Sequence, residues 1–193
     1  MKKLQDKVTI VTGAGGGFGE GIALHFAELG AKVVVADLRA DAAQQVAAAI
    51  EAAGGQALAV HADVTSDASV KAMVAATLTR FGRLDILINN AGTTHKNQPM
   101  LDVDEATFDR VYATNVKSIY LGARHAVPVM RAQGSGVIVN IASTAGLRPR
   151  PGVCWYSGTK GAAITLTKAM AIELAPERIR VCAINPVMGE TGL

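Results

Sequence analysis

Cysteine is scarce in this chain of 193 residues: Cys154 and Cys182 are the only two. Two thiols so far apart make no disulfide framework, so a reducing cytoplasm is the expected setting. The four histidines, His25, His61, His95 and His125, show no metal-ligand spacing with one another or with the cysteines, and no metal site is expected. Charge of one sign is scarce as well. Nineteen Lys and Arg against sixteen Asp and Glu leave a formal net charge of +3, and the basic residues are scattered. Nucleic-acid binding gets no support from that pattern. No apolar run reaches the length of a membrane span. The opening Met-Lys-Lys-Leu-Gln-Asp-Lys lacks the apolar core of a signal peptide. Linkers, repeats and low-complexity tracts are missing too, so a single domain over 1–193 is expected. What is plentiful is apolar. Half the residues are hydrophobic and 18% are charged, the balance of a soluble folded domain with a sizeable core.

The apolar residues fall into two alternating kinds of segment. Short β-branched runs occupy 7–12, 32–37, 57–63, 84–90, 136–143 and 179–186. Longer segments with helical spacing lie between them, at 18–29, 40–53, 67–81, 103–132 and 155–175. The runs are apolar on both faces, as strands covered by helices on both sides must be. The alternation predicts an α/β fold with a doubly wound parallel sheet of Rossmann type, its topology constrained by right-handed crossovers. The last two helical segments are apolar or small nearly all round, which predicts burial against another subunit or against more of the chain. The sequence reaches "NPVMGETGL" (185–193) just after the sixth run. An exposed parallel edge is unusual, so a further segment beyond Leu193 is expected.

Between the first run and the first helix stands "TGAGGGFG" (12–19). Bare backbone at Gly13, Gly17 and Gly19 lets a pyrophosphate approach, and the N–H groups that open the next helix point at it. A tight turn would account for the glycines alone. Asp37 shifts the balance, because it ends the second run near the separation of about 20 residues expected for a ribose-binding carboxylate. A carboxylate there accepts from a ribose hydroxyl and repels a 2′-phosphate, which favours NAD over NADP. Arg39 is either a partner for such a phosphate or a solvated loop residue. Asp63 ends the third run, where it either accepts from an adenine amino group or caps the following helix.

Tyr156 and Lys160 are four apart at the start of a helix and share one face. A free tyrosine, with a pKa of about 10, is a poor base at neutral pH. A neighbouring ammonium favours the phenolate, so the pair suits general acid/base work. Ser143, at the end of the preceding run, can bond a carbonyl oxygen as charge develops on it. Asn115 shares a helical face with Phe108, Tyr112 and Ile119. A buried amide needs partners, so it is either a satisfied structural residue or one that opens the helix to hold a water near Lys160.

Taken together, "TGAGGGFG", Asp37, "DV" (63–64), "NNAG" (89–92), Asn115, Ser143, "YSGTK" (156–160) and "NP" (185–186) resemble the short-chain dehydrogenase/reductase family, in its order and over essentially the whole chain. The resemblance implies an enzyme that transfers hydride between NAD(P) and a secondary alcohol or ketone. Tyr156 would be the general acid/base. Lys160 would hold the nicotinamide ribose and lower the tyrosine pKa. Ser143 would orient the substrate oxygen and Asn115 would support a water relay. Thr12, Gly13, Gly17, Phe18 and Gly19 would line the phosphates. Asp37 would meet the adenosine ribose, Asp63 and Val64 the adenine, and Asn90 the cofactor beyond. A homo-oligomer, dimer or tetramer, is also implied, with the long helices packed across subunits.

Three departures qualify the resemblance. NADP-preferring members often have a basic residue where Gly16 stands, so NAD is the expected cofactor. Val187 replaces the glycine that usually follows "NP". Members also continue for several tens of residues, through a substrate loop, a helix and a last strand. The segments expected to face substrate are 93–100 and 144–155, which offer His95, Arg148, Arg150, Cys154 and Trp155. The arginines suit a carboxylate or phosphate, or are simply solvated. The rival readings are an NADP-dependent 3-oxoacyl reductase and a catalytically silent dinucleotide-binding sensor or scaffold.

Overall fold

The computed structural model describes residues 2–187, so Met188–Leu193 of the "NPVMGETGL" stretch lie outside the described residues. Six strands form one parallel sheet: β1 (Val8–Thr12), β2 (Lys32–Asp37), β3 (Gln56–His61), β4 (Ile86–Asn89), β5 (Gly136–Ile141) and β6 (Ile179–Ile184). Their order across the sheet is β3-β2-β1-β4-β5-β6. The order reverses between β1 and β4, and the crevice at such a reversal is where open α/β sheets bind ligands. Ile10 pairs with Val34 on one side and Leu87 on the other, which fixes the register of the three central strands.

The connecting helices are α1 (Gly17–Glu28), α2 (Ala40–Ala52), α3 (Asp67–Phe81), α4 (Glu105–Tyr112), α5 (Ser118–Gln133) and α6 (Cys154–Leu174). Alternate residues of β1 to β5 feed two cores. Ile10, Val34, Leu87 and Ile138 pack with Met73, Met130 and Leu174 of α3, α5 and α6. Val11, Val33, Val35 and Ile88 pack with Ala23 and Ile50 of α1 and α2. Local signals set the helix ends. Ser66 accepts from the Ser69 N–H at 3.4 Å and opens α3, and Gly82 closes it in the left-handed conformation at φ 76°.

Two features differ from the sequence expectations. The segment 103–132 is not one helix. Asp104 caps α4 by accepting from the Thr107 N–H at 2.7 Å, and a π-helical turn, Ala113–Lys117, separates α4 from α5. The strands are also not all covered on both sides. β1 is buried throughout, whereas β6 alternates, with Ile179 and Val181 buried and Arg180, Cys182 and Ile184 exposed. Among the described residues, helices cover the β6 end of the sheet on one face only.

Candidate active site

Because all six strands run the same way, the loops that follow them meet at one edge of the sheet. A cleft of about 430 Å³ opens there, lined by Gly13, Asp37, Asp63, Val64, Gly92 and Arg110 among others. The glycine loop forms one wall, and its bare backbone is a steric necessity. Gly13 sits at φ 63°, and a Cβ there would lie 2.8 Å from the Ala91 Cα. A Cβ on Gly19 would lie 2.1 Å from the Gly13 carbonyl oxygen. Gly17 at φ 56° starts α1, where Phe18 is 40% exposed on the first turn. The loop is held from below. Thr12 accepts from the N–H groups of Asn90 and Ala91, both at 3.1 Å. The Asn90 side-chain amide donates to the carbonyls of Thr12 at 2.8 Å and Gly13 at 3.1 Å. Asn90 thus braces the glycine loop through its side-chain amide.

The Asp37 carboxylate is 8% exposed at the end of β2. One oxygen accepts from the Gly15 N–H at 2.8 Å and the other from the Arg39 N–H at 2.9 Å. The Arg39 guanidinium lies against this carboxylate at 3.6 Å and donates to the Gly15 carbonyl at 3.3 Å. The largely exposed Arg39 side chain thus lies beside Asp37 and over the glycine loop. Asp63 does not cap α3, which is the role of Ser66. Its Oδ1 accepts from the N–H and the hydroxyl of Thr65, at 2.8 and 2.7 Å.

Gly92 joins this cleft to a second group of residues, since a Cβ on it would lie 3.5 Å from the Lys160 Nζ and 3.4 Å from the Asn115 Oδ1. Lys160 and Tyr156 occupy successive turns of α6, with the ammonium 5.7 Å from the tyrosine ring centre. Lys160 is 7% exposed and donates to the Ile141 carbonyl at the end of β5, at 2.8 Å. Burial pushes its pKa down to about 8. The Ser143 hydroxyl, also buried, accepts from the Ala145 N–H at 3.1 Å, which leaves its hydrogen to be donated.

Asn115 sits in the π-helical turn with its amide fully engaged. Its oxygen accepts from the Thr93 N–H at 2.8 Å. Its nitrogen donates to the Thr93 carbonyl at 2.8 Å and to the Thr159 hydroxyl at 2.9 Å. The contacts match the structural reading of this residue, a satisfied amide, and the helix is opened around it. A π turn shifts main-chain carbonyls out of the i→i+4 ladder.

Sequence reasoning missed several of these contacts. Thr93 and Thr159, which bind Asn115, and Arg110, which donates to the Thr93 hydroxyl at 2.8 Å, carried no signal beyond their closeness to the motifs. A buried relay also went unread. Asn89 donates to Asn140 at 2.8 Å and Asn140 donates to Thr167 on α6 at 2.9 Å. The available signal was an asparagine closing an apolar strand. Among the described residues, no group of three or more His, Cys, Asp or Glu could hold a metal ion, and no helix is long and apolar enough to cross a membrane.

The chain matches the short chain dehydrogenase family model over residues 7–193. It is 50% identical to 4-formylbenzenesulfonate dehydrogenase of Comamonas testosteroni over 97% of this chain and 75% of that protein. It is 39% identical to 7alpha-hydroxysteroid dehydrogenase of Escherichia coli K12, over 95% of this chain and 71% of the relative. The solved 3-ketoacyl-(acyl-carrier-protein) reductase of Brucella melitensis, complexed with NADH, superposes with a TM-score of 0.96 at 49% identity. That match covers 99% of this chain and 79% of the reductase. With its six-stranded parallel sheet, its glycine loop and its Tyr-Lys helix, the chain belongs to the short-chain dehydrogenase/reductase family, nicotinamide-dependent oxidoreductases of alcohols and ketones.

Proposed function

We propose that this chain is an NAD-dependent dehydrogenase/reductase that interconverts a secondary alcohol and a ketone, with Tyr156 as general acid/base. The observation that carries the reading is the buried Lys160 ammonium, anchored on the Ile141 carbonyl and 5.7 Å from the Tyr156 ring centre. The residues at the cleft fit a dinucleotide: bare glycine backbone for the pyrophosphate, the Asp37 carboxylate for the adenosine ribose, and Asp63 with Val64 for the adenine. Bound nicotinamide supplies or accepts the hydride. In reduction the Tyr156 hydroxyl gives its proton to the substrate oxygen; in oxidation the phenolate takes one. Ser143 donates a hydrogen bond to that oxygen and fixes it beside Tyr156. Lys160 holds the nicotinamide ribose and favours the phenolate by its charge.

Asp37 supports NAD over NADP, because a 2′-phosphate would meet a buried carboxylate. Arg39 reinforces the choice, since its guanidinium is already engaged with Asp37 and Gly15. The Brucella neighbour supports a second reading, reduction of a 3-oxoacyl thioester. We further propose a homo-oligomer. Tyr120 on α5 and Ile172 on α6 are 55% and 77% exposed, and light scattering should give a mass well above the 19.9 kDa of one chain.

The test is turnover with a panel of ketones, secondary alcohols and one 3-oxoacyl thioester, using NADH and NADPH in parallel. Tyr156→Phe is expected to lower kcat by at least a thousandfold while NADH still binds. Full activity in that variant, or a clear preference for NADPH, would overturn the corresponding part of the reading.

A further inference from the structure

Two loops flank Ser143 and Tyr156, and both are tied to the residues just described. The first, 93–100, is held at Thr93 by the Asn115 amide. The second, 144–153, packs backbone to backbone on the Tyr-Lys helix, where a Cβ on Gly146 would lie 2.6 Å from the Lys160 carbonyl carbon. The loops also bond to each other, since the Gln98 N–H donates to the Gly152 carbonyl at 3.1 Å. Between them they carry Lys96, Arg148 and Arg150, all exposed, and no Asp or Glu. None of the three cations has a carboxylate partner among the described residues, whereas Arg39, Arg83, Arg124 and Arg131 each have one. Pro149 and Pro151 bracket Arg150 and Gly152 follows, so the backbone there is stiffer than an ordinary surface loop.

One more polar group in the first loop lacks a protein partner. His95 is 4% exposed, its Nδ1 donates to the Lys96 carbonyl at 2.8 Å, and its Nε2 is buried with no protein group bonded to it. With the ring hydrogen on Nδ1, Nε2 is an acceptor that a donor such as water would satisfy and an anion would not.

We propose that this rim selects a substrate whose reacting carbonyl or alcohol stands on a small molecule bearing a fixed negative charge, a carboxylate, sulfonate or phosphate. The inference rests on the oxidoreductase reading above. Three unpaired cations with no intervening acid raise the local concentration of an anion and hold its charged end, while the carbonyl end reaches Ser143 and Tyr156. Arg148 and Arg150 are the specificity-determining residues, placed by a loop whose other end is Ser143.

The experiment compares matched ketones and aldehydes that differ only in charge, such as 4-acetylbenzoate against 4-acetylbenzamide, with NADH and the full-length protein. The carboxylate member should show at least a tenfold higher kcat/KM at low ionic strength, mainly through KM. That advantage should shrink at least threefold in 0.3 M NaCl, as screening of exposed charges requires. In Arg148→Gln/Arg150→Gln the ratio should fall toward one, and in Arg148→Lys/Arg150→Lys it should largely return. Equal or better use of the neutral members, or a charge preference that survives the double Gln variant, would overturn the proposal and leave the oxidoreductase reading intact. No turnover of any member, with NADH still bound, would overturn that reading and this proposal with it.

Discussion

A lysine amine folded into a protein interior resists carrying its charge, because water solvates an ammonium better than a protein does. Lys160 shows the effect: a single carbonyl, that of Ile141, bonds it, and its pKa falls from 10.5 to about 8. Between those two values the unfolded chain holds a proton that the folded chain has shed. Stability should therefore rise with pH across that window, by up to about 3 kcal/mol. Below about pH 8 both states are protonated and the penalty of the buried charge is fully present. Urea titrations of the cofactor-free protein from pH 7 to 10.5, set against Lys160→Met, should show a gain in the parent that the variant lacks. At this scale the sequence was informative about identity and poor about partners. It placed Tyr156 and Lys160 on one helical face, because four residues make about one turn. It had no means to find the Ile141 carbonyl, which lies 19 positions away and comes close only when α6 packs on β5.

Elements, rather than residues, explain the break in the middle of the chain. Helical spacing continues from Phe108 through Asn115 to Ile119, so the pattern reads as one helix. The extra residue of a π turn leaves no mark on an apolar repeat. Its cause is tertiary: the Asn115 amide pairs with both the N–H and the carbonyl of Thr93, as a strand would, and also takes the Thr159 hydroxyl. One side chain thus joins the α4–α5 unit, the loop after β4 and α6. Asn115→Leu strands the half-buried polar groups of Thr93 and the buried Thr159 hydroxyl, and should cost about 2 kcal/mol of unfolding free energy in urea titrations. Asn115→Asp keeps the acceptor and should cost less. The strands, in contrast, were legible to within two residues at each end. β-branched runs between turn residues have few alternatives, and Asp37 and Asn89, which end β2 and β4, mark the edge where the loops meet.

For the whole molecule, the sheet's two ends are unlike. At β1 and β2, helices cover both faces and every strand residue but Lys32 is buried. At β6 one face is bare among the described residues, and Cys182 stands on it. The run "IRVCAINP" is apolar on both faces, but among the described residues only one of them is covered. The relatives are longer than this chain, which spans 75% of the Comamonas dehydrogenase. A thiol reagent should label Cys182 within minutes in the native protein, at a rate close to that of the exposed Cys154. Slow labelling that becomes fast in denaturant would mean that another subunit, or residues 188–193, covers this face.

The single carbonyl beneath Lys160 has a consequence for how the protein meets its dinucleotide. An amine poised near pH 8 is half-charged in mildly alkaline buffer, and ribose hydroxyls would stabilise only its charged form. On the proposed reading, the proton then becomes a co-ligand. Loading the dinucleotide should draw hydrogen ions from the buffer above about pH 8 and almost none at pH 6. Calorimetry in two buffers of different ionisation enthalpy would measure that uptake directly. Its disappearance in Lys160→Met would assign it to this one amine, and an uptake that persisted there would place it elsewhere in the cleft.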